Sequence, residues 1–203
     1  MPRPKTTPRK RPRQERAKAT VDAILEATAK VLVKRGYEKA TTNRIAEAAG
    51  VSIGSLYQYF PNKQALVAAL VDHHLDEMLA VISTALVEVA NVPLPEAAAI
   101  VVDAMLEAHR LDPALHKVLV EQVPAVGRMA RVRALNAELE VLALTFLQTR
   151  ASEIRRPNLE LAAFVLVRAV DAVTQSACAQ ERDLGPEFAA EIVDLMIRYI
   201  AKT

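Results

Sequence analysis

An all-α fold of about nine helices is predicted by three features of this 203-residue sequence. Apolar residues recur at helical spacing through nearly the whole chain. The strand signal, a sustained period-two alternation bounded by turn residues, does not occur. Glycines, prolines and capping residues cut the chain into segments of helical length. Hydrophobic residues make up 52% and charged residues 25%, a balance that suits one or two folded domains with a substantial core. No internal repeat is found.

The first helix is expected over about residues 12 to 35, with Val21, Ile24, Leu25, Thr28 and Leu32 as its inward stripe and Gly36 as its stop. Tyr37 is expected to pack into the small core that follows. Thr41 or Thr42 can open a second helix by accepting from its unpaired N–H groups, and Ile45, Ala46 and Ala49 give that helix an apolar stripe. Gly50 comes directly after, where a helix end favours a left-handed residue that a Cβ would penalise, so the chain bends sharply. Ser52 caps a third helix, Ile53 to Phe60, with Leu56 and Phe60 four apart on one face. Ser55, Gln58 and Tyr59 are left on its other face. Gly54 gives up roughly 1 kcal/mol of helix propensity relative to alanine, which permits close backbone approach to another molecule. Pro61 ends the helix, Asn62 caps the next, and Lys63 in its first turn is poorly placed for the helix dipole but well placed to meet a phosphate.

A long fourth helix runs from Asn62 toward Val89, with Leu66, Leu70, His74 or Leu75, Met78, Ile82 and Leu86 on one broad face. Pro93 and Pro95 break the chain before a fifth helix at about 96 to 110, and Asp112 with Pro113 caps and opens a sixth. Pro124 marks a kink or break, a seventh helix extends to about Glu153, Asn158 caps the eighth, and Gly185 with Pro186 opens the ninth.

Two short helices packed around one turn glycine, residues 41 to 63, have the layout of a DNA-reading helix-turn-helix. The strings TTNRIAEAAGVS and GSLYQYFPNK resemble the N-terminal domain of the TetR family of bacterial transcriptional regulators, and the match covers about residues 14 to 66. Beyond residue 66 only the helical layout and the length are similar. The resemblance implies a disordered basic arm at 1 to 13, a three-helix DNA-binding domain at 14 to 66, and a helical ligand-binding and dimerisation domain at 67 to 203. It further implies a ligand-responsive regulator, a repressor, that binds a near-palindromic double-stranded DNA operator as a homodimer and is released by a small-molecule inducer. Carried onto the matching positions, the family's roles give phosphate contacts to Thr42, Tyr57, Tyr59 and Lys63 and base contacts to Ser52, Ile53, Ser55 and Gln58. Asn43 and Gly54 complete that surface, with Arg11 and Arg13 joining it from the arm. Gln58 has a specific chemistry, because its amide can pair bidentately with adenine. Tyr57 has a second reading, as packing beside Leu56 and Phe60, and Tyr59 stands where many members of the family carry histidine.

Charge distribution supports an anionic partner. Residues 1 to 18 carry a net charge of +7 and the remaining 185 carry −5, although the whole chain is only +2. Pro2, Pro4, Pro8 and Pro12 keep that basic segment extended. A solubilising tail is the competing reading; its place directly before a DNA-reading domain favours phosphates or the minor groove. Nothing amphipathic accompanies the charges, so membrane attachment is not expected.

The longest clearly apolar, uncharged stretch is Met78 to Val87, where a bilayer span needs about 20 residues. No apolar leader segment is seen, and a single cysteine, Cys178, gives no internal disulfide and fits a reducing cytoplasm. A cytoplasmic location is expected.

The last two helices carry more apolar surface than one core needs. On the eighth, Glu160, Arg168, Asp171, Gln175 and Arg182 share a narrow polar stripe, and on the ninth so do Glu187, Glu191, Asp194, Arg198 and Lys202. A helix packed on its own core alone needs a stripe of about 100°. The excess points to a homodimer through Val165, Val173, Phe188, Ile192, Leu195 and Tyr199, which is also how TetR-like regulators pair; the alternative is that both helices are central in a monomer.

An enzyme is not expected. His73, His74 and Glu77 are the nearest approach to a metal cluster, but no second ligand set or HExxH accompanies them, and adjacent histidines point to different faces. Glu121, Glu138 and Glu140 make no recognisable acid pair, Cys178 has no neighbouring histidine or lysine, and no phosphate-cradling glycine loop or G-x-S-x-G occurs. No cofactor or metal is expected. Met78, Met105, His109, Met129 and Phe164 are candidates to line a mainly apolar pocket for an apolar or amphipathic ligand, though core packing accounts for each equally well. The alternatives to a DNA-binding regulator are an all-helical ligand-sensing module without DNA binding and a metal-dependent enzyme.

Overall fold

The computed structural model describes residues 11–110, 112–122 and 124–202, with side chains from residue 16 onward. It is built from α1 (Arg11–Lys39), α2 (Thr42–Ala48), α3 (Ile53–Tyr59), α4 (Lys63–Glu88), α5 (Leu94–Arg110), α6 (Pro113–Gln122), α7 (Met129–Thr149), α8 (Leu159–Ala179) and α9 (Pro186–Ile200). Among the described residues β-pairing is limited to one isolated bridge, Ile154 with Ala201. The chain divides into two compact units, Met1–Leu70 and Val71–Thr203, with the boundary inside α4.

In the first unit α1 is interrupted at Gly36, whose φ of 72° and ψ of 166° are not helical, so the sequence stop acts as a break followed by one more turn. Helix already begins at Arg11, which corrects the extended arm at its last three residues. Pro12 is tolerated there because first-turn N–H groups have no intrahelical partner. Residues 1 to 10 of the arm lie outside the described residues, as do the side chains of Arg11 and Arg13. Ile24, Leu32, Ile45, Leu56 and Leu66 are wholly enclosed and form the centre of this unit. Thr28 is buried with them because its hydroxyl donates to the Ile24 carbonyl at 2.7 Å. Tyr37 is only half-buried, and its ring lies under the Lys63 ammonium at 4.1 Å from the ring centre.

The second unit packs α7 against α8 and α5 against α9. One core cluster joins Leu94, Leu147, Ile154, Leu166 and Ile200, and another joins Val102, Leu106, Val170, Leu184 and Ile192. Arg150, only 7% exposed, donates to the carbonyls of Val89, Ala90 and Val92, and so pins the turn that follows α4. The Arg155 N–H donates to the Ile200 carbonyl at 2.8 Å, tying the chain end to the link between α7 and α8.

Candidate DNA-binding surface and ligand cavity

Local chemistry fixes the turn between α2 and α3. Gly50 takes φ +66°, its N–H donates to the Glu47 carbonyl at 3.1 Å, and the Val51 N–H donates to the Ala46 carbonyl at 3.0 Å. This paired closure of a helix end is what a left-handed residue makes possible. Ser52 then caps α3 by accepting from the Ser55 N–H at 3.0 Å, while Thr41 accepts from Arg44 in front of α2. With Ile45, Ala46, Leu56 and Phe60 turned inward, the remaining faces are left to solvent.

The residues expected to meet DNA lie on that solvent side. Asn43, Ser52, Ile53, Gly54, Tyr57, Gln58 and Tyr59 are exposed, and Thr42, Ser55 and Lys63 are half-buried. Tyr57 is 49% exposed and its hydroxyl lies 3.1 Å from Thr42 Oγ1, so it is not a core side chain. Three further candidates are engaged within the unit. Lys63 Nζ donates to the Tyr37 carbonyl at 2.9 Å, which leaves two of its three N–H groups for a phosphate. The hydroxyls of Ser52 and Ser55 are 2.8 Å apart and pair with each other.

The second unit encloses a cavity of about 470 Å³. Most of its wall is aliphatic, from α4, α5, α7 and α8, and it includes Met78, Met105, His109 and Met129. Phe164 is not part of the wall. It is 47% exposed on α8, with the Arg168 guanidinium 5.6 Å from its ring, which corrects its place among the pocket residues. The sequence reading missed His116, Asn136, Asp171 and Gln175 as cavity residues, and had placed His74 only on an inward helix face.

Three imidazoles meet at this wall. His74 Nε2 is 3.0 Å from His116 Nδ1, and the rings of His109 and His116 are 4.7 Å apart at 65°. His109 Nδ1 is 2.9 Å from the Met105 carbonyl. Burial is the main reason that all three are held below the ordinary histidine value, and with its two imidazole neighbours it pushes His116 down to about 4. Gln175 stands near enough to His116 to favour the charged form slightly, yet the Nε2 atoms of both His109 and His116 have no hydrogen-bond partner. His73, by contrast, faces solvent and pairs with Glu77 at 3.3 Å. Among the described residues no three His, Cys, Asp or Glu side chains form a metal-holding group. Cys178 is half-buried with its thiol pKa raised by burial, the opposite of an activated nucleophile.

The expected dimer residues separate into two sets. Val173 and Leu195 are exposed, and Val165 is half-buried. Ile192 is 3% exposed inside its own subunit's core, which removes it from the interface set. Phe188 packs partly on the same core, and Tyr199 packs on the other cluster with the Arg156 guanidinium 4.2 Å from its ring. Leu161 and Phe164, both about half exposed on α8, join the exposed set. By length and composition α8 is apolar enough to cross a membrane, a feature hidden from a count of uncharged residues because Arg168 and Asp171 interrupt it. A third of that span is buried within the unit, and Arg168 pairs with Glu140 at 2.8 Å.

Comparison with known proteins agrees with this architecture. A family model described as bacterial regulatory proteins, tetR family, matches residues 24–70, and one described as tetracyclin repressor-like, C-terminal domain, matches residues 93–200. The uncharacterized HTH-type transcriptional regulator YvkB of Bacillus subtilis is 49% identical over 51 residues, 25% of this chain and 27% of that protein. The chain spans about a quarter to a third of the length of the curated relatives it matches first. A TetR-family regulator from Mesorhizobium loti has the same fold, with a TM-score of 0.75 at 15% identity over 92% of this chain and 99% of that one. SmeT, the repressor of the Stenotrophomonas maltophilia multidrug efflux pump SmeDEF, gives 0.71 at 19% identity over 92% of each chain, and its fold is also known as a complex with triclosan. With the helix-turn-helix at one end and a matching helical domain over more than half of its length, the chain belongs to the TetR family of bacterial regulatory proteins.

Proposed function

We propose that this protein is a cytoplasmic, ligand-responsive transcriptional repressor that binds a near-palindromic operator as a homodimer, and that it is not an enzyme. The observation that carries this reading is the pairing of a helix-turn-helix whose polar face is free with a hollow, mostly apolar second unit. Each subunit places α3 in the major groove of one half-site, with half-sites about 34 Å apart. Gln58 reads a base, and Thr42, Tyr57, Tyr59 and Lys63 hold the backbone. The exposed apolar side chains Leu161, Phe164 and Val173 of α8 and Leu195 of α9 meet their copies in the partner. An inducer in the cavity acts through α4, which begins in one unit and lines the cavity of the other, and changes the separation of the two recognition helices. That SmeT is a repressor with a triclosan complex supports the reading by analogy of fold.

Operator selection from random DNA with the purified full chain, with mass spectrometry of what co-purifies, tests it. A recovered near-palindrome is expected; recovery of no preferred sequence leaves a ligand-sensing module without DNA binding. The basic arm is tested on the recovered site. Removing residues 1 to 10 takes away Arg3, Lys5, Arg9 and Lys10, and each one that neutralises a phosphate contributes about −0.9 to the slope of log affinity against log salt. An unchanged slope makes the arm a solubilising tail.

A further inference from the structure

We propose that the cavity takes an apolar amine, with its ammonium head received by the Asp171 carboxylate beside the uncharged imidazoles of His109 and His116. This rests on the reading of the cavity as a ligand site and names the chemistry of what enters it. The starting point is a mismatch in hydrogen bonding. His109 and His116 are 5% and 4% exposed, and both have an Nε2 without a partner. Buried polar atoms left without a partner are uncommon, and both rings belong to the cavity wall together with the Asp171 carboxylate.

What kind of group follows from the protons. The Met105 carbonyl can only accept, so His109 Nδ1 carries the hydrogen and its Nε2 presents a lone pair. His116 Nδ1 shares one hydrogen with His74 Nε2; when His116 supplies it, His116 Nε2 also presents a lone pair. Burial keeps the three rings uncharged at neutral pH. The trio therefore brings no positive charge to the wall.

The wall itself carries charge of one sign. Glu77 on α4, Asp112 in front of α6 and Asp171 on α8 act on these histidines, and the cavity wall contains no lysine or arginine among the described residues. Asp171 lines the cavity and, among the described residues, makes no ion pair or hydrogen bond. A carboxylate ligand would meet the Asp171 carboxylate and no cation on the wall, and an alcohol would leave the Asp171 charge unpaired. A primary ammonium brings three donors and one positive charge, which matches the Asp171 carboxylate, while its hydrocarbon body meets Met78, Ile82 and Met105 on the aliphatic wall.

Three probes of equal length separate the possibilities: decylammonium, decanol and decanoate, titrated calorimetrically into the full chain at pH 7.5. Decylammonium is expected to bind at least about tenfold more tightly than decanoate, and Asp171→Asn to weaken it by about tenfold, the scale of one charge-assisted hydrogen bond, with decanol changed less than about twofold. Decanol binding by the variant shows that the cavity is still formed. If Asp171→Asn loses decanol as well, the wild-type order of decylammonium over decanoate decides alone. Decanoate binding as tightly as decylammonium, or an Asp171→Asn variant that keeps both decanol and full ammonium affinity, overturns the amine inference and leaves the cavity reading in place. Binding of none of the three overturns both.

Discussion

The two units fill their interiors in opposite ways. In the first, Ile24, Leu32, Ile45, Leu56 and Leu66 close the centre completely, and what remains for another molecule is the outside of one short stretch, Thr42 to Lys63. In the second, two separate core clusters flank a cavity of about 470 Å³, and its wall is assembled from residues as distant as Val71 and Ile200. The first unit has a solid core, and the side chains that the core does not need are left on its outer surface. The second can change state because its core is incomplete, and a hollow centre is stabilised by whatever fills it.

The largest expected effects come from charge placed on one side or the other of the α9 surface. Ile192→Arg buries an unpaired charge in the subunit core, at a cost of several kcal/mol, and should abolish folded helix as read by circular dichroism. Leu195→Glu, at a position 48% exposed, should leave helical content near wild type, yield a monomer by ultracentrifugation and lose operator binding. A Leu195→Glu protein that remains dimeric removes α9 from the interface, and Phe164→Glu then asks the same of α8.

Acid should find the hollow unit first. His116 has a folded value of about 4 against an ordinary 6.5, so the unfolded chain binds the proton more readily. Stability is then full above pH 6.5 and is lost as pH falls through the window down to about 4, by about 3 kcal/mol for this residue. His74 and His109, also lowered, add loss of the same sign. Denaturant titrations of wild type and His116→Gln at pH 7.5 and pH 5 should show a smaller acid loss in the variant. An equal loss in both would place the acid sensitivity elsewhere.

The same contrast explains what could be read from sequence. The helix-turn-helix was legible because its determinants act within a few residues: Thr41 and Ser52 on N–H groups three positions on, and the N–H groups of Gly50 and Val51 on carbonyls three and five positions behind them. The cavity was not. His116 meets His74 across 42 positions, and Arg150 reaches the carbonyls of Val89 and Ala90 across about 60, with no local pattern to announce either. Helical periodicity groups residues on a face without saying which neighbour that face meets. It placed Ile192 at a partner's surface when it belongs to its own core, and Phe164 in a pocket when it faces outward. The boundaries that moved have local causes as well: α8 ends at Ala179 rather than near Arg182, just before Glu181 takes a left-handed φ of 54°.

Base reading by α3 should show at intermediate size. Gln58→Ala is expected to cost about 1–3 kcal/mol on the preferred operator and to relax preference at one position per half-site, with no change in thermal stability because Gln58 is exposed. A loss of equal size on every sequence would move Gln58 from the bases to the backbone.

The smallest effect is also the one that most directly separates fold from function in the first unit. Gly54 sits inside α3 with an ordinary helical backbone, and an added Cβ would meet nothing closer than Ser52 Oγ at 3.8 Å. Alanine should therefore be the better residue for the free protein, by about 0.5–1 kcal/mol from the helix alone. Gly50 offers no such gain, because its φ of +66° would strain any side chain even in open space. A glycine retained where alanine fits is explained if the α3 backbone comes close to DNA there. Gly54→Ala should then raise the melting temperature slightly and weaken operator binding, two changes of opposite sign from one methyl group. A variant that gains stability and binds its operator as tightly as wild type would show that nothing approaches Gly54, and the contact surface of α3 would have to be drawn without it.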